Sequence, residues 1–471
     1  MTPLAMALST FGLLTFSDAE PTFSERLRAE THVAGGLTAA EAAARAEATS
    51  GDVAARRAEI DAAEATAAQS WLAYLPRLAG SARYTHLSSI EPPLLGVGVG
   101  APTAPVGPLP AGTPLVNAPL RFPVFLDETS FQATLAAPLS DYLLRIAPTH
   151  AVALRAEEAA RFAHQAARQR TALGTKILYY EWARARLSRI VEEAALAQVR
   201  GHLEDARKAL AAGSASRADV LSVVAHEAVA EQAVVHARAR TTALETRLHT
   251  VMHVDDRAPL AIGEAIEGDV TFAAESRDLD RLTTEAEKAR PEVRGLDASI
   301  AALASQARAA AGSAMPALGV FGEVTDANPN PRYFPGPQRF AMTWSLTAQL
   351  TWSPNDTASS FEAHRAWRAR EDAALAQRRT LMDDLRSEIA RALEAVDDAT
   401  SAQLTAARAV ASAEESHRVR RALFQNGRAT SVELTDAETE LTRARLAFIG
   451  SHVEARLALL QLNHALGRDL P

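Results

Sequence analysis

Residues Met342-Thr-Trp-Ser-Leu-Thr-Ala-Gln-Leu-Thr-Trp352 alternate without a break between apolar and polar side chains. Met342, Trp344, Leu346, Ala348, Leu350 and Trp352 share one parity, and Thr343, Ser345, Thr347, Gln349 and Thr351 the other. Successive side chains of a strand point to opposite faces, so the stretch predicts a strand with one apolar and one wet face. Roughly 9–11 residues is also what a tilted strand needs to cross a bilayer. A Trp stands near each end, where membrane barrels carry aromatic girdles. A half-buried strand of a soluble sheet would alternate in the same way, so the rest of the chain must separate the two readings.

The pattern elsewhere is helical and written twice. Trp71-Leu-Ala-Tyr-Leu-Pro-Arg-Leu-Ala-Gly80 resembles Ala311-Gly-Ser-Ala-Met-Pro-Ala-Leu-Gly-Val320, with Pro76 and Pro316 240 positions apart. Further on, Ala133-Thr-Leu135 aligns with Ala348-Gln-Leu350, and Asp141 with Asp356, at an offset of 215. Ala212-Gly213 matches Asn426-Gly427 at an offset of 214. The offset falls because the first copy has the longer loop between its strands. Each half then reads helix, strand, loop, strand, long helix, Gly turn, helix. The first half predicts a helix over 38–73, strands at 77–87 and 123–139 around a Pro/Gly/Val-rich loop at 88–122, and helices over 150–211 and 217–252. The second predicts a helix over 279–312, strands at 317–325 and 341–352, and helices over 358–424 and 431–466. The repeats span 37–254 and 279–467, with a linker at 255–278.

A helix of about 60 residues is about 90 Å long. It needs an apolar seam, and one runs through Leu381, Leu385, Ile389, Leu393, Val396 and Leu404. Leu441, Phe448, Val453, Leu457 and Leu460 on the following helix predict its antiparallel partner. Gly213 and Gly427 stand where these helices reverse, supplying the left-handed backbone of a helix end, and Ser216 and Thr430 are candidate N-caps of the return helices.

Composition narrows the function classes. There are no cysteines, which excludes disulfides and thiolate chemistry, and the net charge is −8. Arg is dispersed among acids, leaving no basic footprint for nucleic acid. Mean hydropathy is −0.08, and no apolar run reaches the roughly 20 residues of a membrane helix. Residues 4–16 form an apolar stretch followed by Ser17-Asp18-Ala19, which predicts a signal peptide over 1–19. Gly96-Val-Gly-Val-Gly100 lies in the Pro-rich loop without a following helix, and reads as a surface loop tip rather than a phosphate cradle. No metal-binding or nucleophile motif appears among the 13 histidines, so neither an enzyme nor a cofactor is expected.

Four strands cannot close a barrel, and an open sheet edge is prohibitive in lipid. Strands of several chains must therefore be pooled, and three chains would give twelve. The duplication, the junctions Leu75-Pro76 and Met315-Pro316, Arg290-Pro-Glu-Val293, the Gly-x-x-[Ser/Thr] turns and the closing Ala465-Leu-Gly467 together resemble the TolC-like outer-membrane efflux family, over about residues 37–467. The resemblance implies a mainly α fold with a small membrane β-barrel: a homotrimer whose twelve-stranded barrel continues as a helical tunnel into the periplasm of a Gram-negative bacterium. It implies a passive exit duct for efflux or secretion that works with a periplasmic adaptor and an inner-membrane pump. A soluble or periplasmic coiled-coil scaffold is the alternative.

The resemblance also assigns sites. Glu433 and Asp436, with Asp219 in the first copy, would line the narrow periplasmic entrance, and Gly213 and Gly427 would mark the helix-turn tips. Trp344, Leu346, Leu350 and Trp352 would face outer-membrane lipid, while Thr343, Ser345, Thr347 and Gln349 would face the lumen with Arg83 and Glu323. Two positions depart from the family: Glu433 stands where Asp is usual, and Phe424 where a Tyr often closes the tip by a hydrogen bond that Phe cannot make.

Overall fold

The computed structural model describes residues 23–91, 95–100, 111, 116–120, 124–255, 258–268, 270, 277–334 and 336–468. The predicted signal segment, 1–19, lies outside them. The elements in order are α1 (Phe23–Glu30), α2 (Ala39–Thr49), α3 (Gly51–Leu72), β1 (Arg77–His86), β2 (Leu95–Gly100), β3 (Val116–Leu120), β4 (Asp127–Ala137) and a short α4 (Leu139–Asp141). A π-helical turn, Tyr142–Ile146, leads into α5 (Ala147–Ala211), followed by α6 (Arg217–Met252), α7 (Leu279–Ala289) and α8 (Pro291–Gly312). The chain continues through β5 (Ala317–Asn328), β6 (Ala341–Thr351), α9 (Pro354–Gln425) and α10 (Ser431–Leu466).

Three expectations need correcting. The helices expected over 38–73 and 279–312 are each split. Arg290 takes an extended backbone, φ −69° and ψ 121°, immediately before Pro291, because the proline ring disfavours the helical conformation of the residue preceding it. Ser50 makes the equivalent break with φ −65° and ψ 123°. The loop over 88–122 is not purely loop: Gly96-Val-Gly-Val-Gly100 belongs to β2, which pairs antiparallel with β3. Leu404 does not join the helical seam, being 65% exposed.

The chain divides into two compact units. One holds residues up to Ala58, Arg161–Arg294 and from Arg378 on. Its main core gathers Tyr179, Trp182 and Leu187 of α5, Leu248 of α6, Ile262 of the linker, and Ile449 and Val453 of α10. The antiparallel seam of α9 and α10 is realised along its length. Leu385 and Ile389 cluster with Leu462 and Leu466, Ala399 with Ala455 and Ala458, and Val410 and Ala413 with Leu441 and Ala444. Alanine at these contacts lets the helix axes approach closely. Truncating a fully buried leucine such as Leu441 would cost about 2–5 kcal/mol.

The other unit, Glu59–Ala160 and Gly295–Gln377, holds one four-stranded antiparallel sheet in the order β1-β4-β5-β6. Gly312 marks a close approach of backbones beside this sheet. A Cβ there would meet the carbonyl oxygen of Leu144, in the π-helical turn, well inside contact distance.

Candidate functional site

The strand register sorts the sheet into two faces. Trp344 lies opposite Val324, Leu346 opposite Gly322, and Leu350 opposite Leu318. Val324 in turn faces Ala133, and Gly322 faces Leu135, while Leu135 pairs with Leu78 and Phe131 with Ala82. Between the rows of Leu350 and Trp344 one face is therefore apolar across the sheet, and Asp326 stands at its edge opposite Met342 and Phe131. This face is also open: Leu78, Met342, Trp344, Leu346 and Leu350 are between 68% and 76% exposed. So much uncovered aromatic and aliphatic surface on one side of a sheet marks a face that meets lipid or another apolar body. Trp352 stands one residue beyond β6, and its indole N–H donates to Thr357 Oγ1 at 2.9 Å.

The opposite face carries Thr343, Ser345, Thr347 and Gln349, as the alternation predicted, together with Arg83 of β1 and Glu323 of β5. Arg83 pairs with Ser130 and Glu323 with Thr134, so the two charges stand four positions apart along β4 rather than side by side. Arg83, Glu128, Gln132, Glu323, Thr343 and Ser345 line a polar cavity of about 280 Å³. The β5–β6 loop is fastened beside it by the buried Asn330. Its amide donates to the Ala341 carbonyl at 2.7 Å and to Thr343 Oγ1 at 3.2 Å.

At the hairpin turns the two repeats build the same structure. Gly213 and Gly427 take φ of +75° and +71°. The N–H of Ser214 reaches the Ala209 carbonyl at 2.9 Å, and that of Gly213 reaches Leu210 at 3.0 Å. Arg428 and Gly427 repeat these bonds to Leu423 and Phe424 at 2.8 and 2.9 Å. This is the Schellman closure, which satisfies the last carbonyls and requires the left-handed residue that glycine adopts without strain.

Each return helix opens with a capping box. Ser216 accepts from the N–H of Asp219, while the Asp219 carboxylate accepts from the Ser216 N–H at 2.9 Å and hydroxyl at 2.7 Å. Thr430 and Glu433 make the same exchange at 2.8 and 3.1 Å. The hydroxyl and N–H of Ser216 hold Asp219 below the ordinary carboxyl range, and the N–H and hydroxyl of Thr430 do the same to Glu433. Two of the three acids proposed from sequence are therefore already employed locally. Asp436, one turn on, is exposed. Among the described residues no hydrogen bond or ion pair joins Asp219, Glu433 and Asp436 to one another.

Beside the turns lies a buried polar cluster that sequence reasoning missed. His202 of α5 and Glu438 of α10 are each 4% exposed. The His202 Nδ1 lies 3.2 Å from Glu438 Oε2, and its Nε2 lies 3.0 Å from Ser431 Oγ. His226 of α6 brings Nε2 within 3.9 Å of the same Glu438 oxygen. Phe424 of α9 meets the His202 ring edge-on at 4.9 Å, so the residue that departs from the family pattern is an aromatic wall here. No motif announces this cluster, because its members come from four helices and both repeats. Among the described residues, no group of acids and histidines is arranged to hold a metal ion.

Residues 282–468 match the model of the outer membrane efflux protein family. No curated protein matches the chain by sequence. The fold is similar to that of the outer-membrane channel OprN, with TM-score 0.73 and 18% identity over 92% of this chain and 90% of that one. It is likewise similar to the outer membrane protein VceC of Vibrio cholerae, at 0.71 and 16% over 96% and 100%. The CmeC outer membrane channel of Campylobacter jejuni gives 0.70 and 12% over 99% and 94%. The second repeat is thus matched in sequence by the outer membrane efflux protein family, and the fold of outer-membrane channels is matched over nearly the whole length.

Proposed function

We propose that the chain works as one third of a passive exit duct. The match of residues 282–468 to the outer membrane efflux protein family supports the outer-membrane location and the efflux or secretion role; the trimer, the partners and the residue roles are our reading. The observation that carries it is the four-stranded sheet, apolar and open on one face and polar on the other. Its outer strands, β1 and β6, each pair on one side only among the described residues. In hydrocarbon such edges cost several kcal/mol per unsatisfied group. Joining β6 of one copy to β1 of the next removes them, and three copies give a closed barrel of twelve strands.

On this reading Trp344, Leu346 and Leu350 face lipid, with Trp352 at the interface. Thr343, Ser345, Thr347, Gln349, Arg83 and Glu323 line the lumen. The helices continue the duct into the periplasm, where the turns at Gly213 and Gly427 meet an adaptor that couples to an inner-membrane pump. The duct does no chemistry, so the energy for export comes from the pump. Opening is an untwisting of the helices near the turns, driven by adaptor contacts made only in the open state. A coiled-coil scaffold has no use for an exposed face of Trp and Leu opposite a face of hydroxyls, and nothing favours that alternative. The test is conductance in planar bilayers. Purified protein added to one side should give discrete ion-conducting steps; protein that associates with lipid and never conducts would refute the duct.

A further inference from the structure

The buried cluster beside the turns ties the two repeats together at one carboxylate. Each of four helices supplies a group. Helix α5 gives His202, and α6 gives His226. Helix α9 gives His417, which is 8% exposed, and Arg421; α10 gives Glu438 and Arg445. Arg445 already serves Glu414 at 2.8 Å. A carboxylate can only accept, so His202 donates from Nδ1 to Glu438 and, when neutral, accepts the Ser431 hydroxyl at Nε2. Phe424 and the contact of Gln425 Nε2 with Asp205 Oδ2 at 3.4 Å complete the joint between the first hairpin and the second.

We propose that His202, His226, His417 and Glu438 form a proton-operated clasp, closed while the histidines are neutral and parted when protons enter. The charge count gives the reason. One buried carboxylate can offset one imidazolium. A second or third would stand in a water-poor site beside Arg421 and Arg445, where Glu414 is already paired with Arg445. Charges of like sign in such a site repel strongly, and the cheapest relief is to let water in by separating α5 and α6 from α9 and α10.

The direction of the pH dependence follows. Burial pushes the imidazoles of both His226 and His417 below their ordinary value. The closed form therefore binds protons less readily than the parted one. Its advantage is complete above the ordinary imidazole pKa of about 6.5 and is lost as the pH falls below it. Parting of the hairpins needs no pore, so the clasp can be tested apart from the duct; only its consequence for passage rests on the duct reading.

The chain has no cysteine, so spin labels can be placed at Ser214→Cys and Arg428→Cys, one beside each turn. The full-length protein, spin-diluted with unlabelled chain, is measured by pulsed dipolar spectroscopy at about pH 7.5 and about pH 5.5, either side of the imidazole range. The distance distribution should be narrow at the higher pH and longer and broader at the lower. With His226→Asn and His417→Asn combined it should be the same at both. His226→Asn alone, at the less buried position, should show a reduced shift. A wild-type distribution that ignores pH would overturn the clasp, and so would a shift that survives undiminished in either the single or the double variant.

Discussion

At the scale of single residues, the structure separates acids that build from acids that are free to act. Asp219 and Glu433 close capping boxes, each carboxylate satisfying the free N–H of its N-cap residue. Asp436 has no such duty. Replacing Asp436 with Asn should therefore weaken block by divalent cations in bilayer recordings without loosening the turn, and unchanged block would remove it from the entrance ring. The cap acids make a different prediction. Their folded pKa values are depressed, so the caps contribute fully above the ordinary carboxyl range and are lost as pH falls through the folded values. Hydrogen exchange at residues 216–219 and 430–433, corrected for its intrinsic rate, should accelerate below about pH 4. Protection that persists through that range would contradict the assignment. The caps and the turn glycines were legible from Ser216, Thr430, Gly213 and Gly427 alone, because local chemistry determines them. The engagement of Glu433 was legible too, since Thr-x-x-Glu is a capping-box spacing.

At the scale of elements, the period of the sequence carried most of the information. The run from Met342 to Trp352 gave β6 to within a residue of each end, Ala341–Thr351, because nothing local competes with a strict alternation. The break at Arg290 was visible in Pro291 and was overridden by the helical period on either side. The β2–β3 ribbon was not legible, since alternating Gly and Val has little strand preference and the flanking prolines read as loop. The cluster around Glu438 was beyond reach, for His202, His226 and His417 meet it only once two hairpins have packed. The two faces of β6 make opposite predictions. Leu346→Lys should cost about 2–4 kcal/mol if that face meets the bilayer midplane, and should sharply lower the yield of folded protein in membranes. Thr347→Lys, one residue on and on the polar face, should leave the yield intact and, if that face lines the lumen, shift ion selectivity towards anions. Equal yields from the two variants would mean that neither face meets lipid.

At the scale of the whole molecule, the central claim is that this sheet is a fraction of a larger one. A single chain leaves β1 and β6 as edges, and no described helix is long and apolar enough to cross a membrane. On the proposed function, the chain crosses the outer membrane by its sheet, and the strands of several copies are shared. Duplication explains how one chain supplies four: each repeat contributes a pair, β1 with β4 and β5 with β6. The most direct measurement is the mass of the protein extracted from outer membranes in mild detergent, before and after boiling. A heat-sensitive species of three 50.2 kDa chains, about 150 kDa, that collapses to one chain on boiling is the predicted result. A monomer or dimer in the same extract, unaffected by heat, would contradict the shared barrel.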